Sequence, residues 1–178
     1  MPPPIESFDD RSTTSQPHII RLRGPWRFEP KSRWQFESDG TWHPSTQELP
    51  SAGQMTLPGN WQEVLGSNYA GTVQFSRFFR CPDSVALASR VHLWIEEVDW
   101  EAAVILNDQL LGVVICSRSA EITSRTRCPA RFEITKQLRP SNILTLLLTA
   151  PALTQDGSPQ YTGDPVGGQI GLVRLEIE

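Results

Sequence analysis

The sequence contains few of the residues that mark several common protein classes. It has two methionines and three cysteines among 178 residues. The cysteines, Cys81, Cys116 and Cys128, form no CxxC pair, which excludes a zinc-ribbon pattern and a dense disulfide framework. Cys81 and Cys116 lie in or beside apolar runs, where a thiol behaves as a small hydrophobic group. We predict that all three cysteines are reduced and structural.

The chain also lacks long apolar runs and an excess of positive charge. The formal net charge is −4, which excludes the basic surface that a nucleic-acid-binding protein needs to neutralise phosphates. The longest apolar stretch, around residues 142–150, is well short of the roughly 20 residues that cross a bilayer. The first residues show neither the basic start nor the apolar core of a signal peptide. The sequence therefore predicts a cytoplasmic protein that binds neither nucleic acid nor membranes, and a secreted one only if an upstream segment is missing.

Signatures of catalytic and cofactor sites are absent as well. The three histidines form no HExxH or His-x-His spacing, and there is no GxSxG, GxGxxG or P-loop. Adjacent carboxylates such as Glu96 and Glu97 would point to opposite faces of a strand, so they would not meet one substrate together. We predict no enzymatic activity, no metal site and no cofactor. A structural calcium ion stays open, although no loop is dense in Asp and Asn.

What the chain does contain is typical of one globular domain with many turns. It has fifteen prolines and twelve glycines, with 38% hydrophobic and 20% charged residues. The first eighteen residues are rich in Pro, Ser, Thr and Asp, which predicts a flexible N-terminal arm over residues 1–18. A single domain then spans residues 19–178.

Short apolar runs within this domain follow the two-residue period of β-strands. Runs of β-branched, aromatic and leucine residues alternate with polar residues, and turn residues separate them. Two pairs of runs flank the dipeptides Asp39-Gly40 and Asn107-Asp108, which predict hairpins. No amphipathic helix lies between the runs, which excludes a βαβ arrangement. The pattern predicts an all-β fold of about eight to ten strands, an antiparallel β-sandwich of the jelly-roll type.

One charged residue lies on the core-facing side of a predicted strand. Arg77 alternates in phase with Val73, Phe75 and Phe79. A buried charge needs a carboxylate or carbonyl partner, because desolvation disfavours an unpaired ion. We predict that Arg77 forms a structural ion pair.

Seven segments, in the same order, resemble the N-terminal sugar-binding domain of the family 2 glycoside hydrolases, which include β-galactosidases, β-glucuronidases and β-mannosidases. The segments are 22–28 (LRGPWRF), 57–62 (LPGNWQ), 69–79 (YAGTVQFSRFF), 93–100 (LWIEEVDW), 103–112 (AVILNDQLLG), 132–135 with 142–146 (FEIT, NILTL) and 167–175 (GGQIGLVRL). The resemblance implies a jelly roll like that of galactose-binding domains. It also implies that the catalytic carboxylates of such enzymes belong to a later barrel domain.

The resemblance leads to a hypothesis of non-catalytic carbohydrate binding. Sugar sites combine an aromatic ring, which stacks on the apolar face of a pyranose, with polar groups that bind its hydroxyls. Irregular connections and the long loop over residues 151–168 supply such side chains, and long loops are often functional. The candidate binding residues are Trp61, Asn68, Tyr69, Arg118, Asp156, Tyr161 and Asp164.

Three alternatives accompany this hypothesis. For the tryptophans, Trp61 included, a position in the core is the structural alternative to a place in a site. For the whole chain, the alternative is a protein-interaction or assembly domain with no sugar site, because in the resembled enzymes the jelly roll packs on other domains. The chain is also compatible with a fragment of a larger glycosidase.

Overall fold

The computed structural model describes residues 16–40, 42–66, 69–83, 85, 90–116, 128–150 and 168–178. Regular structure in these ranges is almost entirely β, and the one α-helix there, α1, has four residues (Gln62–Leu65). No helix in these ranges combines the length and apolar character that spanning a membrane would require. The strands are β1 (His18–Arg21), β2 (Trp26–Phe36), β3 (Trp42–Pro44), β4 (Gly53–Met55), β5 (Gly59–Asn60), β6 (Ala70–Arg80), β7 (Val91–Ile95), β8 (Glu101–Leu106), β9 (Gln109–Ile115), β10 (Ala130–Glu133), β11 (Ser141–Ala150), β12 (Gln169–Ile170) and β13 (Val173–Ile177).

The strands form two main antiparallel sheets. The smaller sheet has the order β1-β13-β7-β10, and the larger sheet has the order β3-β2-β6-β11-β8-β9, with β4 also paired to β2. A separate short ladder joins β5 to β12. The predicted antiparallel β-sandwich is confirmed. The strand count exceeds the prediction partly because β3, β4, β5 and β12 have only two or three residues each.

Inward-facing side chains of both sheets form one continuous hydrophobic core. Alternate residues of the central strands, at most 1% exposed, supply most of it. Burying one large apolar side chain contributes about 1.5–3 kcal/mol, so this alternation is the main source of stability. The central core residues are Val73, Phe75, Leu146 and Leu148 from the larger sheet, and Leu93, Ile95, Val173 and Leu175 from the smaller sheet.

Both predicted hairpins are confirmed. The turn between β2 and β3 contains Gly40 with a φ of +81°, a value that glycine adopts without strain. Between β8 and β9, Asn107 and Asp108 have φ values of +50° and +67°, as a type I′ turn requires. The Asn107 side chain donates to Oδ1 of Asn142 at 2.9 Å and accepts from the Ile143 amide at 3.0 Å. These bonds tie the turn to β11 and help to offset the lack of a glycine.

Two cysteines differ from their prediction. Cys116 and Cys128 form a disulfide, with their Cα atoms 5.6 Å apart. The bond joins the end of β9, in the larger sheet, to the residues before β10, in the smaller sheet. The prediction of three reduced thiols was wrong because it considered spacing along the chain, whereas sheet stacking brings these two cysteines together. Cys81 is free, and partial burial together with the nearby Asp83 raises the pKa of its thiol.

The predicted ion pair of Arg77 was also wrong. Its Nη1 donates to the carbonyl oxygen of Pro25 at 2.8 Å. Its Nε is buried and has no hydrogen-bond partner in the described part of the chain. The guanidinium therefore fastens β6 to the turn that precedes β2, and a backbone carbonyl takes the place of a carboxylate.

Candidate functional site

Several strands of the larger sheet begin or end side by side at one end of the sandwich. The register pairs Gly71 with Ala150, Thr149 with Glu101, and Glu101 with Ile115. The start of β6, the end of β11, the start of β8 and the end of β9 therefore lie next to one another. We call this edge of the molecule the loop end.

Five of the seven candidate binding residues belong to connections that adjoin the loop end. Asn68 lies two residues before β6, Arg118 follows β9, and Asp156, Tyr161 and Asp164 follow β11. All five lie outside the described residues. The fold thus places side by side the strand ends next to three connections that are far apart in the sequence. The role of these five residues in binding stays a prediction.

The structure places the other two candidates, Trp61 and Tyr69, in the core. Their side chains are 0% and 2% exposed, and their rings meet edge to face at 5.7 Å between centroids. The indole also stacks on Phe75 at 6.4 Å. The Tyr69 hydroxyl donates to the Ser32 carbonyl at 2.7 Å, and burial raises the pKa of this phenol to about 12. Neither ring presents a face at the surface, which favours the structural alternative for both residues.

A buried carboxylate anchors the chain where it returns to the sandwich after residue 167. Oδ2 of Asp99, a residue only 6% exposed, accepts from the Gln169 amide at 3.1 Å, and the Asp99 amide donates to the Gln169 carbonyl at 3.0 Å. The Trp61 amide donates to the Gly168 carbonyl at 3.1 Å. Gly168 has a φ of +97°, and a Cβ there would overlap the indole of Trp61. Sequence reasoning did not single out Asp99, which serves here as a structural acceptor.

The described residues hold no cluster suited to metal binding. No group of three or more His, Cys, Asp or Glu side chains in these ranges could coordinate an ion. Glu96 and Glu97 follow β7 rather than lying within it, and Oε2 of Glu96 accepts from the Leu172 amide at 3.4 Å. That carboxylate therefore has a structural contact with the residues before β13.

The outer face of the larger sheet carries exposed apolar side chains on β11, β8 and β9 and at Phe78 of β6, with polar residues such as Gln74 and Thr145 between them. Five large side chains on it are 48–58% exposed: Phe78, Leu110, Val113, Ile115 and Ile143. The register places Phe78 opposite Ile143, Ile105 opposite Leu110, and Ala103 between Leu147 and Val113. We call this surface the apolar face. Sequence reasoning missed it because strand alternation does not distinguish an apolar outer face from the core.

The fold and these surfaces define a class of protein: an antiparallel β-sandwich with exposed apolar side chains on the outer face of its larger sheet. No family model and no curated protein matches the sequence. Solved structures do match, among them β-glucuronidases and a GH2 β-galacturonidase. The described fold is that of one part of these larger enzymes, as the sequence resemblance implied.

Three of these structures illustrate the similarity. The Bifidobacterium dentium β-glucuronidase complexed with coumarin-3-O-glucuronide has 18% identity and a TM-score of 0.64, over 92% of this chain and 30% of that one. A β-glucuronidase from Ruminococcus gnavus in complex with a uronic isofagomine has 14% identity and a TM-score of 0.59, over 92% and 30%. A GH2 β-galacturonidase from Eisenbergiella tayi bound to galacturonate has 18% identity and a TM-score of 0.55, over 90% and 24%. The chain spans less than a third of the length of each enzyme.

Proposed function

We propose that this domain is a non-catalytic accessory module that docks onto another folded protein domain through its apolar face. The observation that carries the proposal is the group of five half-exposed large apolar side chains on one sheet surface. Contiguous apolar patches beyond a few hundred Å² are rare on proteins that act alone, and they mark interaction sites. A single exposed leucine needs no such explanation, whereas aligned rows of apolar residues do.

The apolar face has the layout of a protein interface. Its centre, formed by outward residues of β11, β8 and β9, carries no charged side chain. Arg80 and Glu101 lie at opposite ends of the surface, and Arg27, Glu29 and Lys31 make its β2 side polar. An apolar centre within a polar rim is the usual anatomy of a specific interface.

The chemistry of this face suits a protein surface better than a sugar. Its centre offers aliphatic side chains, with Phe78 as the one aromatic ring among its exposed large side chains. Sugar recognition needs hydrogen-bonding groups for the hydroxyls, and the centre of the face has few. In the three enzymes compared above, the matched region is joined to at least twice its own length of further protein. An apolar surface of another folded domain is therefore the occupant that we propose.

The triple variant Phe78→Ser, Leu110→Ser, Ile143→Ser should lose association while it keeps its fold. Each side chain is about half exposed, so its removal leaves the core intact while it reduces apolar burial at the interface. We expect association to weaken roughly a hundredfold. Cross-linking in an extract of the producing cells measures the loss of docking to another protein. Sedimentation velocity of the purified protein over a range of concentrations measures any self-association.

Val64→Ser is the matched control for the docking experiment. Val64 is 43% exposed on α1, which is not one of the strands that form the apolar face, and its replacement should leave association unchanged. Self-association that the triple variant abolishes would identify a second copy as the occupant, in place of a different domain. A wild-type protein that stays monomeric and is cross-linked no more than the triple variant would refute docking through this face.

The second candidate function is carbohydrate binding, and the similar enzymes provide its motivation. Those enzymes were solved with a glucuronide and with galacturonate bound, and the strand ends next to three connections of this chain lie side by side at its loop end. If the loop end binds a sugar, Tyr161→Ala should weaken the binding of glucuronate or galacturonate roughly tenfold, because the stacking ring is lost. Isothermal titration calorimetry measures the change, and wild-type protein that gives no saturable heat contradicts this candidate.

We propose that the domain itself carries out no catalysis. A retaining glycosidase needs two carboxyl groups about 5–5.5 Å apart, and the resemblance assigns both to a barrel domain. The matched region covers less than a third of the similar enzymes, which leaves most of their length for such a domain. The accessory role is the one that this part of the enzyme fold supports.

The disulfide bears on where the protein works. Bonds such as Cys116–Cys128 persist in oxidising compartments and are rare in the cytoplasm. This observation favours a location outside the cytoplasm over the cytoplasmic location that the N-terminal sequence predicts.

A further inference from the structure

The outer face of the smaller sheet presents a row of cationic and aromatic side chains. The register aligns Arg21 of β1, Arg174 of β13, Trp94 of β7 and Arg131 of β10 across all four strands. Neighbouring strands lie about 4.8 Å apart, so the row extends for about 14 Å. It occupies the face of the sandwich opposite to the apolar face. We call it the arginine–tryptophan row.

One carboxylate holds the two guanidinium groups that flank the indole. Oε1 of Glu176 accepts from Nη2 of Arg174 at 2.8 Å and from its Nε at 3.0 Å. Oε2 of the same carboxylate lies 3.5 Å from Nε of Arg131. The Arg174 guanidinium lies 5.1 Å from the centroid of the Trp94 ring, within the range of a cation–π contact. Glu176, with 12% of its side chain exposed, is therefore a positioning residue for the row.

The ends of the row differ in their partners. Nη2 of Arg131 donates to Oε1 of Glu178 at 2.6 Å and lies 3.2 Å from Nδ1 of His92. The guanidinium of Arg21 is exposed and makes no hydrogen bond or ion pair with the described residues. Arg21 is thus a cation available to a ligand, on a strand whose backbone is fixed by pairing with β13.

We propose that the arginine–tryptophan row binds an anionic saccharide, a short chain of uronic acid units. The indole of Trp94 would pack on the apolar face of one unit, and guanidinium groups would bind the carboxylates of that unit and of its neighbour in a bidentate manner. This inference rests on the carbohydrate-binding candidate above, and it places the site on a sheet face instead of at the loop end.

The row adjacent to the arginines favours a uronic acid over a polyphosphate. It carries the carboxylates of Glu133 and Glu176 on either side of His92, and Glu178 reaches the same surface. Carboxylates accept hydrogen bonds from sugar hydroxyls, and a polyphosphate offers no such donors. A neutral sugar would leave the Arg21 guanidinium desolvated without a counter-charge, whereas Glu176 and Glu178 already pair with Arg174 and Arg131. The surface therefore combines guanidinium groups that can bind carboxylates, carboxylates that can accept from hydroxyls, and an indole that can pack on a pyranose ring.

The site is built on paired strands, which preorganises it. Trp94 lies on β7 between two paired neighbours, and its side chain is half-buried. Rigid strands hold binding groups more accurately than loops do, so less ordering entropy opposes association. The ligand would lie across the strands, along the direction of the row.

Calorimetric titration of the full chain with oligogalacturonate tests the proposal. We expect saturable binding that weakens as salt is added, since charge pairs at the surface are screened. The fully methyl-esterified oligomer, which keeps the sugar rings and loses the charges, should bind roughly tenfold more weakly. Trp94→Ala and Arg21→Gln should each cause a loss of similar size, whereas Trp94→Phe should retain part of the affinity because it keeps a ring.

The control variants distinguish this site from the other proposals. Phe78→Ala removes an exposed aromatic ring from the opposite face and should leave the titration unchanged. If Tyr161→Ala abolishes binding and Trp94→Ala does not, the sugar site lies at the loop end and the row is not the site. If oligogalacturonate and its ester both give no heat with wild-type protein, this proposal is overturned, and docking is still decided separately by sedimentation. Thermal unfolding of each variant verifies that it is folded.

Discussion

Replacing Trp61 by alanine is expected to lower the free energy of unfolding by about 4 kcal/mol. The indole is completely buried and contacts the rings of Tyr69 and Phe75. Alanine would therefore leave a large cavity that these packed rings could fill only partly by relaxation. Gly168 lies directly against the indole, which adds a backbone segment to the cavity wall. A domain is typically stable by about 5–15 kcal/mol, so a loss of this size removes between roughly a quarter and most of its stability.

Urea unfolding followed by circular dichroism measures this loss. Trp61→Phe should cost less than alanine, because a phenyl ring fills part of the space. Trp94→Ala is the matched control, since it removes the same side chain from a half-buried surface position and should change stability by less than about 1 kcal/mol. A Trp61→Ala protein as stable as the wild type but unable to bind sugar would show that Trp61 belongs to a binding site.

Replacing Cys116 and Cys128 by serine together is expected to lower the free energy of unfolding by about 3 kcal/mol. The two residues are twelve positions apart, and their bond restricts the unfolded chain while it connects the larger sheet to the smaller one. Phe132 of β10 packs against Gly112 of β9 near the same edge, where a Cβ on the glycine would lie 2.9 Å from the ring. The disulfide therefore reinforces a side of the sandwich where the sheets are already in close contact.

A reducing agent separates the effect of the bond from that of the serines. Dithiothreitol should destabilise the wild-type protein in urea unfolding and leave the double variant unchanged. Cys81→Ser, which removes the free and only half-buried thiol, is the control and should have a small effect. Wild-type protein that is equally stable with and without reductant, or that takes up three equivalents of an alkylating agent when folded, would contradict the disulfide.

Local chemistry accounts for the parts of the fold that were predicted correctly. Apolar side chains two residues apart share one side of a strand, so the core residues of β6, β7 and β11 followed from alternation. The two hairpins followed from residues that tolerate positive φ, Gly40 and the Asn107-Asp108 pair. Alternation and turn residues both depend on residues that are close together in the chain, so they can be recognised from the sequence alone.

The two wrong predictions, and the burial of two candidate site residues, depend on contacts between distant segments. Arg77 was correctly assigned to the core-facing side, but its partner is the Pro25 carbonyl, more than fifty residues earlier. The disulfide of Cys116 depends on how two sheets stack. Trp61 and Tyr69 lie in irregular connections, which are usually exposed, yet both are covered by the core. None of these partners is specified by a local pattern.

Alternation, turn residues and composition were sufficient to predict an all-β sandwich with two tight hairpins, and the resemblance of seven ordered segments implied the fold of one domain of the family 2 glycoside hydrolases. Its surfaces depended on strand order. The smaller sheet joins β1 to β13, from opposite ends of the chain, and only this pairing aligns Arg21 with Arg174 and Trp94. The two-residue period of a strand determines which residues share a side. Long-range pairing determines which strands are neighbours and which apolar side is exposed to solvent. For that reason the apolar face and the arginine–tryptophan row are properties of the folded chain.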